Sequence, residues 1–367
     1  MFRQTILLGI WSLAFVLGLY LVNGPNIVFN TLQEGGLRFW SGTSPYLPPG
    51  PSADVFHYSP FFAAAFGSFG LLPSRLAVVL WGSLNLFVFW LGVSHWWILS
   101  RRQSFWVWIA FGLMAIELDI SLRYQQSNAL LAGLTLIALA KPASRPSQSG
   151  LLLALAANLK VIPGFFALPL LYRRRRFGVV FAGTSLAFIL LPCLAVGLRK
   201  GIGFSVEQWA TVGTDLLQRD LNDIHSSLVR MGFPALATIS YATVAAVGAS
   251  LFAWEGIRSS SPQTPPTLAW YSLGMATALL LIPRVESPTF VWLAPAYLLL
   301  LTSSRLWIRY SGLVAGFWTT FVYCAGWPWK FALQQRFDSK TLGTLLVWVT
   351  LVVGWRNLRE GTHRTHR

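Results

Sequence analysis

Three sets of ionisable residues interrupt otherwise apolar stretches of this chain. Glu117 and Asp119 close one apolar run and lead into Arg123-Tyr124-Gln125-Gln126-Ser127-Asn128. Lys160 stands in Ala156-Ala157-Asn158-Leu159-Lys160-Val161-Ile162-Pro163, and Arg284 and Glu286 lie between Pro283 and Pro288. Charges within apolar segments are costly and persist where they pair or act. Pairing is one reading, Arg123 with Asp119 and Arg284 with Glu286. Ligand contact is the other. Several cations near one face suit a phosphate, to which Arg and Lys give charge-assisted hydrogen bonds. On that reading Arg123, Lys160, Arg230 and Arg284 are the phosphate ligands. Tyr58, Gln126, Asn128, Asn222, His225 and Glu286 are the further polar groups available to a substrate.

Two polar connections, 23–58 and 198–233, supply the other chemically capable residues. In the first, residues 30–40 read as a short amphipathic helix with Leu32, Leu37, Phe39 and Trp40 apolar, of the kind that lies along a membrane interface. It carries Glu34. A turn-rich exit at 41–46 follows, and Pro48, Pro49 and Pro51 keep the next segment extended. That segment brings Asp54, His57 and Tyr58 up to Pro60 and the next apolar run. In the second, residues 204–217 are again amphipathic with Trp209 as interfacial anchor, and a dense polar run from Gln218 to His225 follows, holding Asn222.

The elements that must position these residues follow from composition. The chain has 367 residues, 54% hydrophobic and 11% charged, with a formal net charge of +16. A soluble domain carries about 25% charged residues, so this is a polytopic membrane protein. Disorder is excluded by hydrophobicity. Nucleic-acid binding fits poorly, because the basic residues form short clusters between long apolar runs. Cys193 and Cys324 lie in apolar stretches without metal-ligand spacing, so neither a disulfide framework nor a metal site is expected. The apolar run 5–22 reads as a retained first span.

Further apolar stretches at 59–99, 104–120, 128–140, 150–171, 177–197, 234–256, 267–283, 288–303, 307–326 and 341–355 predict an all-α bundle of about 10–12 transmembrane or re-entrant helices. Residues 1–367 are expected to form one transmembrane domain with a short basic cytoplasmic tail at 356–367. Placing the basic clusters inside, as membrane orientation favours, leaves 23–58, 121–127, 198–233, 284–287 and 327–340 outside. Two conditions attach. The 59–99 region must cross an odd number of times. The 150–171 region must be a re-entrant pair with Lys160 to Pro163 at its turn; otherwise Arg173, Arg174, Arg175 and Arg176 fall outside. With that topology every acid except Glu255 and Glu360 lies on the outer side, which suggests one outward-facing polar chamber.

The order of short motifs resembles a known family. Ser44-Pro45-Tyr46 after the loop helix, Phe56-His57-Tyr58-Ser59-Pro60-Phe61-Phe62 followed by Leu71-Leu72-Pro73, Leu80-Trp81 with Leu84-Asn85-Leu86, Gln126-Ser127-Asn128, and Gly150 through Lys160-Val161-Ile162-Pro163 with the basic run after it are together similar to the polyprenol-phosphate-mannose-dependent α-1,2-mannosyltransferases, glycosyltransferase family 87 of the GT-C superfamily. The resemblance spans roughly residues 20–305 and identifies the chain as a divergent member. It implies a GT-C-like fold in a bacterial plasma membrane, with the active site on the outer face. It also implies a polyprenyl-phosphate-linked sugar donor, a lipid or glycan acceptor, and inverting transfer of a hexose, mannose by family, with no metal or other cofactor. The family's first-loop Asp is replaced here, where Asn26-Ile27-Val28-Phe29 stands, and its later His-bearing motif is replaced by Arg284-Val285-Glu286-Ser287-Pro288. Inverting transfer needs a base for the acceptor hydroxyl, and the candidates are Asp54, Glu34 and His57, with Asp54 favoured. A lipid-linked-sugar binder without transfer, or a secondary transporter, are the competing functions.

Overall fold

The computed structural model describes all residues except 1–17, 19–23, 51–52, 98–104, 141, 143, 218–222, 260–266, 283–286, 322–338 and 365–367. The expected first span at 5–22, Cys324, and the candidates Asn222, Arg284 and Glu286 therefore lie outside the described residues. Within them the protein is all-α. Five helices are long and apolar enough to cross a bilayer: α3 (Ser74–Trp97), α4 (Phe105–Arg123), α8 (Arg175–Val196), α11 (Pro234–Ser259) and α15 (Ser339–Arg364). Between them lie shorter apolar helices, α5 (Asn128–Ala140), α6 (Pro146–Leu159), α7 (Ala167–Arg173), α12 (Leu268–Leu281), α13 (Ala294–Leu301) and α14 (Leu306–Gly316). Helices α1 (Ile27–Trp40), α2 (Pro60–Phe66), α9 (Leu198–Leu217) and α10 (Ile224–Arg230) complete the set. The chain is a polytopic integral membrane protein.

The centre of the bundle is the pair α3 and α5, which run in the same direction. Trp81 Nε1 donates to the Gln125 carbonyl at 2.8 Å, Asn85 Oδ1 accepts from Leu130 N at 3.0 Å, and Trp96 Nε1 donates to the Leu136 carbonyl at 3.1 Å. The Asn85 contact satisfies a first-turn N–H of α5 that its own helix cannot. Close approach needs Gly133, where an added Cβ would collide with the Val88 carbonyl oxygen. Helix α5 is apolar on nearly every face and almost entirely buried, as such a helix must be. Helices α8 and α11 are the opposite, with Leu186, Ile189, Leu190, Leu194, Leu236 and Ile239 exposed to what a bilayer would fill.

The 59–99 region resolves into a short α2 and a 3-10 turn (Gly67–Leu71) lying against α1, and then, after Pro73, the single crossing helix α3. The 150–171 region doubles back. Helix α6 ends at Lys160. A 3-10 turn (Ile162–Phe166) opened by Pro163 and then α7 return the chain, so that Arg176 Nε at the start of α8 reaches Ser147 Oγ at the start of α6 at 3.0 Å. Lys160 is thus at the tip of a helical hairpin whose two arms begin and end at the same end of the bundle. Helix α1 begins at Ile27, earlier than the amphipathic pattern alone indicates, because Asn26 caps it by accepting from Phe29 N at 3.0 Å. Helix α9 likewise begins at Leu198, six residues before the amphipathic stretch read from the sequence.

Candidate active site

The loop after α1 is shaped by one arginine. Arg38 donates to the carbonyls of Leu47 at 2.8 Å and Pro48 at 2.9 Å, and pairs with Glu34 one helical turn earlier. Glu34 is therefore neutralised and serves the loop that passes over it. Beyond the loop, Phe56 lies on the glycine face of α1, where a Cβ on Gly35 would come within 2.5 Å of its ring. The Tyr46 hydroxyl donates to the Tyr58 carbonyl at 2.7 Å. Burial first, and the nearby Glu207 carboxylate second, hold the Tyr46 phenol well above its ordinary pKa, so it stays a donor. Helix α9 closes this corner from above. Lys200 Nζ donates to the Gly42 carbonyl at 3.0 Å, Ser44 donates to Glu207, and Phe204 meets Phe39 edge-on.

The turn from α4 to α5 is made by Gln125, whose φ of 54° is the described non-glycine residue in the left-handed region. Its side chain compensates for that conformation, with Nε2 donating to the Gly24 carbonyl at 2.8 Å and Oε1 accepting from Asn26 N at 2.9 Å. The turn delivers Gln126, Ser127 and Asn128 into a buried polar cluster. Ser127 Oγ donates to the Tyr58 hydroxyl at 3.2 Å. Asn128 Nδ2 donates to Gln126 Oε1 and, at 3.3 Å, to Thr289 Oγ1, while Trp292 Nε1 donates to the Asn128 carbonyl at 2.8 Å. Lys160 Nζ donates to Asn128 Oδ1 at 3.1 Å and lies 5.4 Å from the centre of the Tyr58 ring. Lys160 is half-buried at the C-cap of α6, where a cation also meets the negative end of the helix dipole. Among the described residues it has no carboxylate partner.

Four sequence candidates, Tyr58, Gln126, Asn128 and Lys160, are thereby brought into one cluster. His57 is half-buried beside it in the chain, and Asp54 is exposed, its Oδ1 accepting from Val55 N and its own N–H donating to Thr31 Oγ1, both at 2.7 Å. Arg123 is exposed and paired with Asp119 at 2.8 Å. His225 packs edge-on to Tyr241 with centroids 6.2 Å apart, and exposed Arg230 lies 3.5 Å from Ser227 Oγ. Ser127, which the motif Gln126-Ser127-Asn128 contains but which was not a candidate, joins the cluster, as do Thr289 and Trp292, which did not stand out in the sequence. Thr289 and Trp292 share a 3-10 turn (Ser287–Trp292) that is 161 to 164 residues from Asn128, a separation no local pattern reports.

The arrangement is a buried hydrogen-bonded polar cluster with one half-buried cation, Lys160, within an apolar bundle. The family model of glycosyltransferase family 87 matches residues 56–283, which take in Tyr58, Gln126, Asn128 and Lys160. The chain belongs to glycosyltransferase family 87. A relative, the polyprenol-phosphate-mannose-dependent α-(1-2)-phosphatidylinositol pentamannoside mannosyltransferase of Mycolicibacterium smegmatis, is 26% identical over 348 residues, covering 90% of this chain and 82% of the relative. No solved structure matches the chain. As a family 87 member the protein is a membrane glycosyltransferase. In this family 87 chain Asn26 is fully engaged in structure, its Nδ2 donating to the Arg123 carbonyl at 3.0 Å while its Oδ1 caps α1.

Proposed function

We propose that the chain transfers mannose from a polyprenyl-phosphate donor to a lipid or glycan acceptor on the outer face of the membrane, with inversion and without a metal. The observation that carries this reading is Lys160, a half-buried ammonium with no acidic counterpart among the described residues. A cation held away from water without a counter-ion needs an anion to complete it, and a lipid-borne phosphate supplies one. The name of the mycobacterial relative points to the same donor class. The clustering of basic residues at the opposite end of the bundle supports an outward-facing cleft.

In the reaction a base removes the acceptor hydroxyl proton as that oxygen attacks the anomeric carbon from the face opposite the phosphate. The bond from carbon to phosphate oxygen breaks, and the leaving phosphate gains a charge that Lys160 is placed to hold. Asn128 orients Lys160, and Gln126 and Tyr58 border the sugar. Asp54 is the base. Glu34 is committed to Arg38, whereas Asp54 is exposed, unpaired among the described residues and only four residues from Tyr58. The test is a radiolabel transfer assay with membranes containing the full chain, polyprenyl-phosphate-mannose and a glycolipid acceptor. Labelled product is expected, and it disappears in Asp54→Asn while the protein stays folded and inserted. Full activity in that variant would remove Asp54 from the role, and absence of any transfer across donors would leave a binder in place of an enzyme.

A further inference from the structure

At the end of the bundle opposite Lys160, α3, α5 and α6 converge on an open cavity of about 220 Å³. Leu91 and Ile137 form its apolar floor, and His95, Arg145, Gln148 and Ser149 its polar side. Its lining residue on α5, Ile137, is nine residues along the helix from Asn128, a rise of about 14 Å, so it does not belong to the polar cluster described above. Its charge is of one sign. The Arg145 side chain is exposed and has no hydrogen-bond or ion-pair partner among the described residues, and Arg176 stands against Ser147, next to Gln148 of the wall. Of the two acids read to this end, Glu255 lies 4.0 Å from Arg258.

A second feature runs away from the cavity. Leu80, Leu84, Phe87 and Leu91 are exposed at helical spacing along α3, an apolar stripe that ends at the cavity floor. A cationic pocket continuous with a lipid-facing stripe fits an amphiphile with an anionic head and an acyl tail. We propose that this cavity binds the phosphate headgroup of an anionic membrane phospholipid, with one acyl chain lying along the α3 stripe. Arg145 would grip the phosphate, Gln148 and His95 would add polar contacts, and the lipid would tie α3, α5 and α6 together. Basic pockets between membrane helices recognise headgroups in this way. The proposal stands independently of the transfer reaction.

The test is native mass spectrometry of the delipidated full chain in detergent, with phosphatidylglycerol, phosphatidylcholine or inorganic phosphate added. Phosphatidylglycerol is expected to be retained in preference to phosphatidylcholine. Arg145→Gln should weaken retention about fivefold and Arg145→Glu should remove it, while Arg199→Gln at the other end leaves it unchanged. Thermal unfolding without lipid reports that each variant is folded, and the Arg145 side chain, exposed and unpartnered among the described residues, can change without disturbing a described side-chain contact. Equal retention of both lipids, or full retention of phosphatidylglycerol by Arg145→Glu, would overturn the proposal. Displacement of phosphatidylglycerol by millimolar inorganic phosphate would also overturn it, assigning the cavity to a free phosphate.

Discussion

Two lysines lie inside this apolar bundle, and the protein treats them in opposite ways. Lys340, at the start of α15, meets Glu117 of α4 at 2.7 Å, and neither side chain has exposed surface. Its ammonium lies 5.0 Å from the Phe290 ring. Lys160 is half-buried and, among the described residues, has an amide oxygen and a ring face in place of a carboxylate. The same 3-10 turn touches both, with Phe290 against Lys340 and its neighbour Thr289 against the Asn128 that holds Lys160. A closed pair is a fastener between helices 223 residues apart. A half-buried cation with no carboxylate against it among the described residues is available to bind rather than to fasten.

Substitutions at the two lysines and their partners should separate fastening from binding. The largest effect is expected at the closed pair. Glu117→Gln leaves Lys340 buried without a counter-charge and should cost about 3–5 kcal/mol of stability, read as a lowered unfolding midpoint in detergent. Replacing both members, Glu117→Leu with Lys340→Met, should recover most of that loss. If the single and double variants are equally unstable, the pair is not a simple fastener. Lys160→Met should do the reverse, lowering transfer by about 10²–10³-fold with little change in unfolding midpoint. A comparable loss of stability there would erase the contrast between the two lysines. Asn128→Ala, which removes the group that orients Lys160, should lower transfer about tenfold and raise the donor KM, because Lys160 would keep its charge but lose its aim.

The smallest effect is expected at Tyr46. Its phenol is held protonated in the fold, whereas in the unfolded chain it ionises near pH 10. The unfolded state therefore releases a proton that the native state keeps, so this contribution is complete below about pH 10 and declines as pH rises further. Tyr46→Phe should remove about 1 kcal/mol at neutral pH and flatten the alkaline decline, as unfolding midpoints between pH 8 and 11 would record.

The features legible in the sequence were those with a local or charge-based signature. The re-entrant pair follows from the basic run at Arg173 to Arg176, which cannot share a side with Lys141 and Arg145 unless the chain doubles back, and the Arg176–Ser147 contact is its geometric counterpart. The cluster of Tyr58, Gln126, Asn128 and Lys160 was legible as motif and as polar residues in apolar surroundings. The start of α1 was missed, since the amphipathic pattern begins at residue 30; the signal that could have found it is Asn26, a strong capping residue before an apolar pair. What was illegible depends on contacts between distant segments. Lys340 sits at the end of a polar connection and reads as solvated; only packing brings it to Glu117. Asn85 reads as a polar interruption of a span, and only the parallel approach of α3 and α5 makes it the cap of Leu130 N.

The length of α6 has a kinetic consequence. Fourteen residues rise about 21 Å, against a hydrocarbon core of about 30 Å. With the start of α6 at the inner surface, as the proposed topology has it, Lys160 at the end of that rise would lie below the outer surface it approaches. A phosphate that reaches it has sunk beneath its neighbours while its tail remains among the lipids. Encounter is then a search in two dimensions. The quantity that sets occupancy is the mole fraction of the phosphate-bearing lipid in the membrane, and diluting that lipid with inert phospholipid at fixed bulk amount should slow the protein as surely as removing it.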